Sequence, residues 1–370
     1  MVKAIYFHIP FCTYKCPYCD FVSVVESIVE PKEYMRLLLR EIELYKSLEI
    51  KPKTLYFGGG TPSLIKPKVY ESFFEGLSSL LDTSFLEELT IECNPENYSI
   101  EDFRKLKEIG FNRISIGVQS LREEGLKALG RLHTVKDSIS AVECAYSAGF
   151  ESINIDLIYG YQGQSLRDLE KDLKILKALP ISHVSFYLLT PYEDTQLGLL
   201  HQKGLLNLPD DNTIADMYEL ICESLESIGF LQYEVSNFAL PGYECKHNMV
   251  YWNHEEFLGF GVSAWSFVDR LRFGNTKNLR IYMDKVKRGE KPLEYQERLD
   301  GEELLYDYLF VALRTTRGVE KEVLSNLPEG LEEFFVKEGQ RLRLNRRGML
   351  LINEVLWKLK RVILLNIFGD

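Results

Sequence analysis

Three cysteines lie within eight residues near the start of the chain, with the spacing Cys12-x3-Cys16-x2-Cys19. Thiolates this close together can each bind one iron of a [4Fe–4S] cluster, and three of them leave the fourth iron open to a small-molecule ligand. Structural zinc is the alternative. Zinc prefers four ligands with its cysteines in C-x2-C pairs, so His8 would have to supply the fourth. The spacing therefore favours a three-cysteine iron–sulfur cluster.

A glycine run, Gly58-Gly59-Gly60-Thr61-Pro62, is the second candidate ligand-binding feature. Successive glycines let backbone N–H groups approach a carboxylate or an amine closely, because no Cβ stands in the way. Most glycine triplets are only tight turns. This one directly follows a predicted strand, as a ligand-binding loop would.

Short β-rich runs alternate with amphipathic, helix-length stretches in the first half of the chain. The predicted strands are 4–8, 54–57, 89–92, 113–117, 152–158 and 183–189, and the predicted helices are 31–48, 67–81, 100–109, 135–148 and 165–179. Ser99 and Ser165 are predicted N-caps, and Gly110 and Gly149 are predicted C-terminal glycines. Six such units predict a parallel sheet, either open or closed into a partial barrel, with ligands at the carboxyl ends of its strands.

The pattern is less regular after residue 195. A helix at 210–227, a strand at 232–239 and an irregular, aromatic- and glycine-rich loop at 243–267 are predicted. Helices at 302–314 and 321–338, followed by a hairpin of 341–345 and 348–351, predict a separate helical or winged-helix-like unit.

Composition restricts the class of protein. The net charge of −11 disfavours a nucleic-acid partner, because phosphate binding needs a broad basic field. Eight Lys or Arg residues lie between Lys337 and Arg361, and we interpret them as a solvated face.

Seven cysteines without a secretion signal argue against a disulfide framework. The apolar run 362–368 is too short to span a bilayer, and we expect a cytoplasmic protein without a transmembrane segment.

Taken together, the cysteine loop and the glycine run resemble the radical S-adenosylmethionine (SAM) superfamily. In that family the open iron binds the amino and carboxylate groups of SAM, and one electron from the cluster cleaves SAM to methionine and a 5′-deoxyadenosyl radical. The resemblance implies that the cluster ligands are Cys12, Cys16 and Cys19. It also implies that the SAM contacts are Tyr6, Tyr18, Gly59, Gly60, Thr61, Glu92, Gln119, Arg131 and Asp156.

The segments 58–62, 117–120, 154–160 and 233–239 resemble the oxygen-independent coproporphyrinogen III oxidase group, which contains a decarboxylase and a haem chaperone. Three departures from the decarboxylase pattern favour the chaperone branch. Phe21 stands where the decarboxylase has a further cysteine, and eleven residues precede Cys12 where the decarboxylase has an N-terminal extension. Residues 247–252 match the H-N-x-x-Y-W element of the chaperone branch.

This element suits haem chemically, because an imidazole can be an axial iron ligand and aromatic rings pack on the macrocycle. The resemblance therefore makes His247 the expected haem ligand, with Cys245 as the second candidate and Tyr251 and Trp252 as apolar contacts. A histidine hydrogen-bonded inside an aromatic loop is the alternative. The chain has no C-x-x-C-H motif, which excludes a two-thioether haem linkage.

The resemblance implies an α/β fold, a partial (β/α)6 radical SAM barrel with a small C-terminal helical or winged-helix-like domain. We expect a barrel core at 1–195, a barrel-completing region with the haem loop at 196–298, and a C-terminal domain at 299–370. The leading hypothesis is a chaperone that passes haem to an acceptor haemoprotein at the membrane, and a homodimer is compatible with it. The alternatives are the porphyrin-pathway decarboxylase and a radical SAM enzyme that acts on RNA or another large substrate through the basic C-terminal unit.

Overall fold

The computed structural model describes residues 1–324 and 327–365. In these ranges the helices are α1 (Pro31–Glu43), α2 (Pro67–Ser78), α3 (Ile100–Ile109), α4 (Glu123–Ala128), α5 (Val135–Ser147), α6 (Leu166–Leu176), α7 (Gln196–Gln202), α8 (Asp211–Glu226), α9 (Lys246–Trp252), α10 (Leu279–Lys287), α11 (Gly301–Ala312), α12 (Arg346–Leu350) and α13 (Ile352–Leu365). The strands are β1 (Val2–Ile9), β2 (Ile50–Gly59), β3 (Glu88–Cys93), β4 (Arg113–Gln119), β5 (Ser152–Tyr159), β6 (His183–Leu188), β7 (Leu231–Gln232), β8 (Asn237–Ala239), β9 (Phe257–Phe260), β10 (Trp265–Val268), β11 (Leu271–Asn275), β12 (Leu293–Arg298), β13 (Val319–Glu320), β14 (Phe335–Glu338) and β15 (Arg341–Leu344).

Within residues 1–324, twelve strands form one sheet in the order β12-β11-β10-β9-β1-β2-β3-β4-β5-β6-β8-β7. Strands β1 to β6 pair in parallel, in chain order, with helices in the connections. This confirms the predicted α/β fold with a parallel core. A small antiparallel sheet, β13-β15-β14, lies in the mostly helical C-terminal region.

Alternating side chains divide the parallel strands into two faces. Phe7 and Phe57, from the neighbouring strands β1 and β2, stack with ring centroids 4.7 Å apart, and Phe7 meets the edge of Phe73 of α2. All three rings are buried, so this face is the apolar core beneath the helices. Tyr6 and Tyr56 point to the opposite face, which carries the polar side chains of the candidate site.

Local signals fix several helix ends as predicted. Ser99 and Ser165 accept hydrogen bonds from the backbone N–H groups of Asp102 and Asp168, and in both cases the aspartate reciprocates in a capping box. Gly110 ends α3 in the left-handed conformation, with φ of 115°. These caps place the helices, and therefore the strands that follow them.

Two predictions between residues 232 and 267 are wrong. The segment 232–239 is not one strand, since the chain reverses between β7 and β8 and Val235 bonds to the carbonyl of Arg314. The segment 243–267 is not an irregular loop: it forms α9, β9 and β10, and β9 pairs in parallel with β1. Its glycines serve close packing, because a Cβ on Gly259 would lie 2.2 Å from the carbonyl oxygen of Trp265.

The C-terminal predictions need correction as well. The predicted helix 321–338 is a turn, a short 3-10 segment and β14 in its described part, since Pro328 and Gly330 interrupt the helical spacing; residues 325–326 lie outside the described residues. The hairpin is β14–β15, and 346–350 is the helix α12. Gly348 fits there because a Cβ would lie 2.6 Å from the carbonyl oxygen of Phe334.

Part of the basic cluster between Lys337 and Arg361 is paired with acidic residues of the same chain. Arg346 forms ion pairs with Glu219 and Glu226, so part of the basic cluster is neutralised within the chain. Among residues 1–324 and 327–365, we find no helix with the length and apolarity needed to cross a membrane. The apolar run 362–368 is helical up to Leu365, and its last three residues lie outside the described part of the chain.

Candidate functional site

The three-cysteine loop lies directly after β1, at the carboxyl ends of the parallel strands. The backbone closes this loop on itself, since Cys12 N–H donates to the Val24 carbonyl and Val24 N–H donates to the Pro10 carbonyl. Cys19 N–H donates to the Cys16 carbonyl, which makes a tight turn between these two cysteines. All three thiols are partly accessible. The loop therefore presents its cysteines at the sheet edge where an α/β fold binds ligands.

Two of the cysteine sulfurs lie next to hydrogen-bond donors. The Arg131 Nη1 lies 3.2 Å from Cys16 Sγ, and the Thr61 hydroxyl lies 3.5 Å from Cys12 Sγ. The Arg131 Nε is buried and has no partner among the described residues. A cation and a hydroxyl in these positions can donate hydrogen bonds to the sulfurs, which bind metal as thiolates.

The environment of His8 argues against the zinc alternative. Its Nε2 lies 2.7 Å from the Val22 carbonyl oxygen, and its Nδ1 lies 3.3 Å from the Tyr6 hydroxyl. Both ring nitrogens are therefore engaged within the protein. Among residues 1–324 and 327–365, we also find no group of three His, Cys, Asp or Glu side chains close enough together to hold one metal ion. A cubane cluster does not require the three cysteines to converge on one ion, because each cysteine binds a different iron.

The glycine run packs tightly between the cysteine loop and β3. A Cβ on Gly59, whose φ is 110°, would lie 2.5 Å from the His8 ring, and a Cβ on Gly60 would lie 2.7 Å from the Phe11 carbonyl oxygen. The N–H groups of Gly60 and Thr61 donate to the carbonyls of Ile9 and Phe11. These amides thus fix the cysteine loop, and the glycines are required by the close approach of the two loops.

Glu92, near the end of β3, is held at both carboxylate oxygens. The Tyr56 hydroxyl donates to Oε1 at 2.8 Å, and the backbone N–H of Gly59 donates to Oε2 at 3.1 Å. Burial, together with the nearby negative charge of Asp156, raises the pKa of Glu92 to about 7. Burial also raises the pKa of Asp156, although Ser115 and Asn154 donate hydrogen bonds to it. Two such acids inside a protein suit a cationic ligand.

The remaining predicted SAM contacts lie around the same end of the sheet. Arg131 connects three segments, since its guanidinium also donates to the Asn94 side chain and the Gly117 carbonyl. Gln119 ends β4 with φ of 67°, a strained conformation for a side chain of its type. Tyr18 packs with the apolar residues beneath the loop. Tyr6 stacks on Tyr56 with a centroid distance of 6.1 Å.

The H-N-x-x-Y-W element forms α9 and lies at the other end of the strands. Its first backbone N–H groups, of Lys246 and His247, donate to the carboxylate of Glu88, the first residue of β3. A carboxylate at a helix N-terminus satisfies donors that have no partner within the helix. Glu88 precedes Glu92 by four residues, which is about 13 Å along a strand. The element and the cysteine loop therefore lie at opposite ends of the parallel strands.

His247 is buried and has a hydrogen-bond partner at each ring nitrogen. Its Nδ1 lies 2.8 Å from the Thr54 hydroxyl, and its Nε2 lies 2.7 Å from the Tyr251 hydroxyl. Burial lowers the pKa of His247 to about 3, so the imidazole is neutral. Cys245 is also buried, with its Sγ 3.5 Å from Glu88. In this conformation neither candidate haem ligand has a free coordinating atom at the surface.

The Trp252 side chain lies in a different environment from that of His247. It lines a cavity of about 290 Å³ between α9 and the C-terminal region, together with Tyr308, Arg317 and Arg341. Its indole Nε1 is buried and has no hydrogen-bond partner among the described residues. The structure thus brings Tyr251 to His247 and takes Trp252 away from it.

Tyr56 and Thr54 contact the predicted site residues, yet no sequence motif contains them. Both belong to β2 and face the same side, because alternate strand residues do so. Alternation was the available signal: Thr54, Tyr56 and Gly58 share one face, and Glu88, Thr90 and Glu92 share the matching face of β3. Buried polar residues repeated at this period indicate a polar strand face.

Comparisons with known proteins agree with this geometry. The Radical SAM superfamily model matches residues 6–195. The chain is 38% identical to a protein named heme chaperone HemW from Lactococcus lactis subsp. lactis, over 87% of this chain and 84% of that protein. It is 36% identical to heme chaperone HemW of Bacillus subtilis, over 87% and 86% of the two chains.

One solved structure resembles this chain over nearly its whole length. Coproporphyrinogen III oxidase (HemN) from Escherichia coli, described as a radical SAM enzyme, superposes with a TM-score of 0.80 at 21% identity. The match covers 96% of this chain and 89% of that one, and it shows that the two share a fold. Since a family model covers more than half of the chain and relatives above 30% identity cover most of it, the chain belongs to the radical SAM superfamily and, within it, to the HemW family.

Proposed function

We propose that the chain is a haem chaperone, which binds haem and transfers it to acceptor haemoproteins. The observation that carries this proposal is the identity of 38% and 36%, over 87% of the chain, to proteins named heme chaperone HemW. Membership of the radical SAM superfamily implies a [4Fe–4S] cluster and SAM as cofactors. The cluster and SAM would then regulate haem binding or transfer.

Cys12, Cys16 and Cys19 are the proposed cluster ligands. Their loop leaves the three thiols accessible, and the donor groups of Arg131 and Thr61 beside two of the sulfurs suit bound thiolates. The cluster, when bound, would supply one-electron chemistry to SAM at its open iron. The chain's own contribution is to hold the loop and to place a positive charge beside Cys16.

The proposed SAM contacts are Tyr6, Tyr18, Gly59, Gly60, Thr61, Glu92, Gln119, Arg131 and Asp156. The buried acidic pair Glu92 and Asp156 supports this assignment, because the sulfonium of SAM is a cation and its amino group can donate hydrogen bonds to a carboxylate. The fixed position of Glu92 would orient the ligand, since both of its oxygens are hydrogen-bonded.

His247 is the proposed axial ligand of the haem iron, with Cys245 as the second candidate and Tyr251 and Trp252 as contacts to the macrocycle. His247 can ligate iron only if its Nε2 leaves Tyr251 or its Nδ1 leaves Thr54. Haem binding at this residue therefore requires α9 to move from its place in this conformation.

The division at residues 195 and 298 remains our proposal for the domains. The boundary at 298 is supported by the large sheet, whose last strand ends at Arg298, and by the second sheet, whose strands all follow residue 318. The large sheet continues across residue 195, where β8 pairs with β6 and β9 with β1, so residues 196–298 extend the sheet of the first region. We further propose a cytoplasmic protein that gives haem to a membrane-associated acceptor and that can form a homodimer.

The first test is haemin titration of the anaerobically reconstituted protein, followed at the Soret band. The variants are His247→Ala and Cys245→Ala, with the exposed His201→Ala as the matched control for non-specific imidazole binding. We expect stoichiometric binding by the wild type that His247→Ala loses and His201→Ala keeps. Unchanged binding by His247→Ala would remove that residue from the haem site and leave Cys245 to be tested. No specific binding by the wild type would contradict the chaperone proposal.

The oxygen-independent decarboxylase is the alternative function. The shared fold with HemN is compatible with it, but at 21% identity that likeness shows the fold alone. Anaerobic incubation with coproporphyrinogen III, SAM and a reductant should give no vinyl product if the chaperone proposal is right. Detection of such a product would replace it with the decarboxylase.

A further inference from the structure

A continuous set of contacts connects α9 at one end of the strands to Glu92 at the other. We call it the α9 contact chain and define it as Thr54, Tyr251, His247, Tyr56 and Glu92. The imidazole of His247 is its central member, held by the hydroxyls of Thr54 and Tyr251. Because both hydroxyls can donate or accept, they fix a neutral imidazole in either tautomer.

The fixed His247 ring restricts the position of the Tyr56 ring by stacking on it. The two rings stack with centroids 5.1 Å apart and an interplanar angle of 29°. Tyr6 stacks on Tyr56 as well, at 6.1 Å and 29°. Two stacked neighbours hold the Tyr56 side chain in one χ1 rotamer, and this rotamer sets the position of the hydroxyl oxygen once the strand is fixed.

Tyr56 in turn fixes the Glu92 carboxylate. Its hydroxyl supplies the hydrogen bond to Oε1, while the Gly59 amide supplies the bond to Oε2. Loss of the Tyr56 contact would leave one carboxylate oxygen buried without a partner. That loss disfavours the charged form and leaves the side chain free to turn away from a cationic ligand.

We propose that His247 and Tyr251 are positioning residues of the SAM site, which hold Tyr56 and through it Glu92 in the orientation that binds SAM. This inference rests on the proposed contact between Glu92 and SAM and goes beyond the proposed haem function. It gives the H-N-x-x-Y-W element a role that needs no direct contact with haem. It also explains why both nitrogens of His247 are engaged and why the element packs on Glu88 at the amino end of β3.

Conservative variants can test this role without removing the imidazole. Thr54→Val and Tyr251→Phe each delete one hydrogen bond to His247, and Tyr56→Phe deletes the bond to Glu92. Thr90→Val is the matched control, since Thr90 is equally buried, lies beside Tyr56 in the sheet, and its hydroxyl has no partner among the described residues. The measurement is the SAM dissociation constant of the reconstituted protein, with iron and sulfide content determined for each variant.

We expect Thr54→Val and Tyr251→Phe to weaken SAM binding about three- to tenfold, and Tyr56→Phe at least as much. Cluster content should stay at the wild-type level, and Thr90→Val should keep the wild-type SAM affinity. His247→Ala should weaken binding more strongly, and His247→Gln, which retains polar groups, should recover part of the loss. The pH at which SAM affinity falls by half should rise in the same variants, because Glu92 then protonates more readily.

The proposal is overturned if SAM affinity in Thr54→Val and Tyr251→Phe equals that of Thr90→Val. It is also overturned if His247→Gln loses haem binding while its SAM affinity and pH profile match the wild type. Haemin titration of the wild type is independent of these results, so a failure of the haem chaperone proposal would be recognised separately.

Discussion

Glu92 is the residue whose protonation should control SAM binding. Its pKa is about 7, raised by burial and by the Asp156 charge, so the carboxylate is only partly ionised at neutral pH. A cationic ligand needs the ionised form, and the cost of ionisation grows as the pH falls below this pKa. SAM affinity should therefore decline below pH 7, approaching tenfold for each further pH unit.

Glu92→Gln separates this effect from other titrations. The amide keeps a similar shape but cannot ionise, so we expect weaker SAM binding at pH 8 and a nearly flat profile between pH 5.5 and 8. Isothermal titration of the reconstituted protein measures both. An equally steep decline in the variant would assign the pH dependence to a different group.

Arg131 should set the redox properties of the cluster. Its guanidinium lies 3.2 Å from Cys16 Sγ, and a positive charge beside a cluster stabilises the reduced, more negative state. Arg131→Met should therefore make the midpoint potential more negative in an anaerobic redox titration followed by electron paramagnetic resonance. Arg122→Met, which removes a guanidinium paired with Asp168, is the control and should leave the potential unchanged.

Sequence patterns predict the residues at the cysteine-loop end of the sheet better than the contacts of α9 at the other end. The cysteine spacing and the glycine run are local patterns, so the loop and its position after β1 could be predicted. Tyr56 and Thr54 act through contacts with residues 36 and 193 positions away, and no local spacing reports such pairs. The buried, doubly bonded state of His247 was invisible for the same reason.

At the scale of elements, short-range signals determined which predictions succeeded. Helices α3, α5 and α6 begin with capping boxes, and the helices predicted at 100–109, 135–148 and 165–179 match them within a few residues. Helix α9 has seven residues and strand β9 has four, too few to establish a period. Strand β9 pairs with β1 across about 250 residues, and only the folded chain brings them together.

One buried acid joins several of these long-range elements. Glu41 of α1 accepts hydrogen bonds from the Gly261 amide, the Asn275 side chain and the Tyr282 hydroxyl, which belong to the segment after β9, to β11 and to α10. Burial raises the pKa of Glu41 from 4.5 to about 7. A raised folded-state pKa means that folding favours the protonated form. The associated stability is fully present below pH 4.5 and is lost as the pH rises through 7, about 3 kcal/mol in all.

Glu41→Gln should remove this pH dependence, because glutamine resembles the protonated acid at every pH. We expect the decrease in melting temperature between pH 5 and pH 8 to be smaller in Glu41→Gln than in the wild type. Glu43→Gln, an exposed position on the same helix, is the matched control and should behave as the wild type. Identical pH profiles for all three proteins would show that Glu41 is ionised in the folded state at no extra cost.

At the scale of the whole molecule, the two proposed ligands require different arrangements of α9. SAM binding uses Glu92 as Tyr56 and His247 hold it, whereas iron ligation would withdraw His247 from Thr54 or from Tyr251. Each ligand should therefore weaken the binding of the other. Linkage requires that the two effects be equal, so the factor by which saturating SAM lowers haem affinity must equal the factor by which haem lowers SAM affinity.

Haemin titrations with and without saturating SAM, and the reverse pair, measure these factors directly. Breaking the α9 contact chain at Tyr56→Phe should abolish the linkage, since Glu92 then no longer depends on His247. If haem affinity is the same with and without SAM although His247→Ala cannot bind haem, then α9 moves without disturbing Glu92 and the two sites are independent. A linkage that survives in Tyr56→Phe would mean that haem and SAM communicate by a route other than Tyr56, and the contacts of Arg131 between the cysteine loop and β4 would be the next to test.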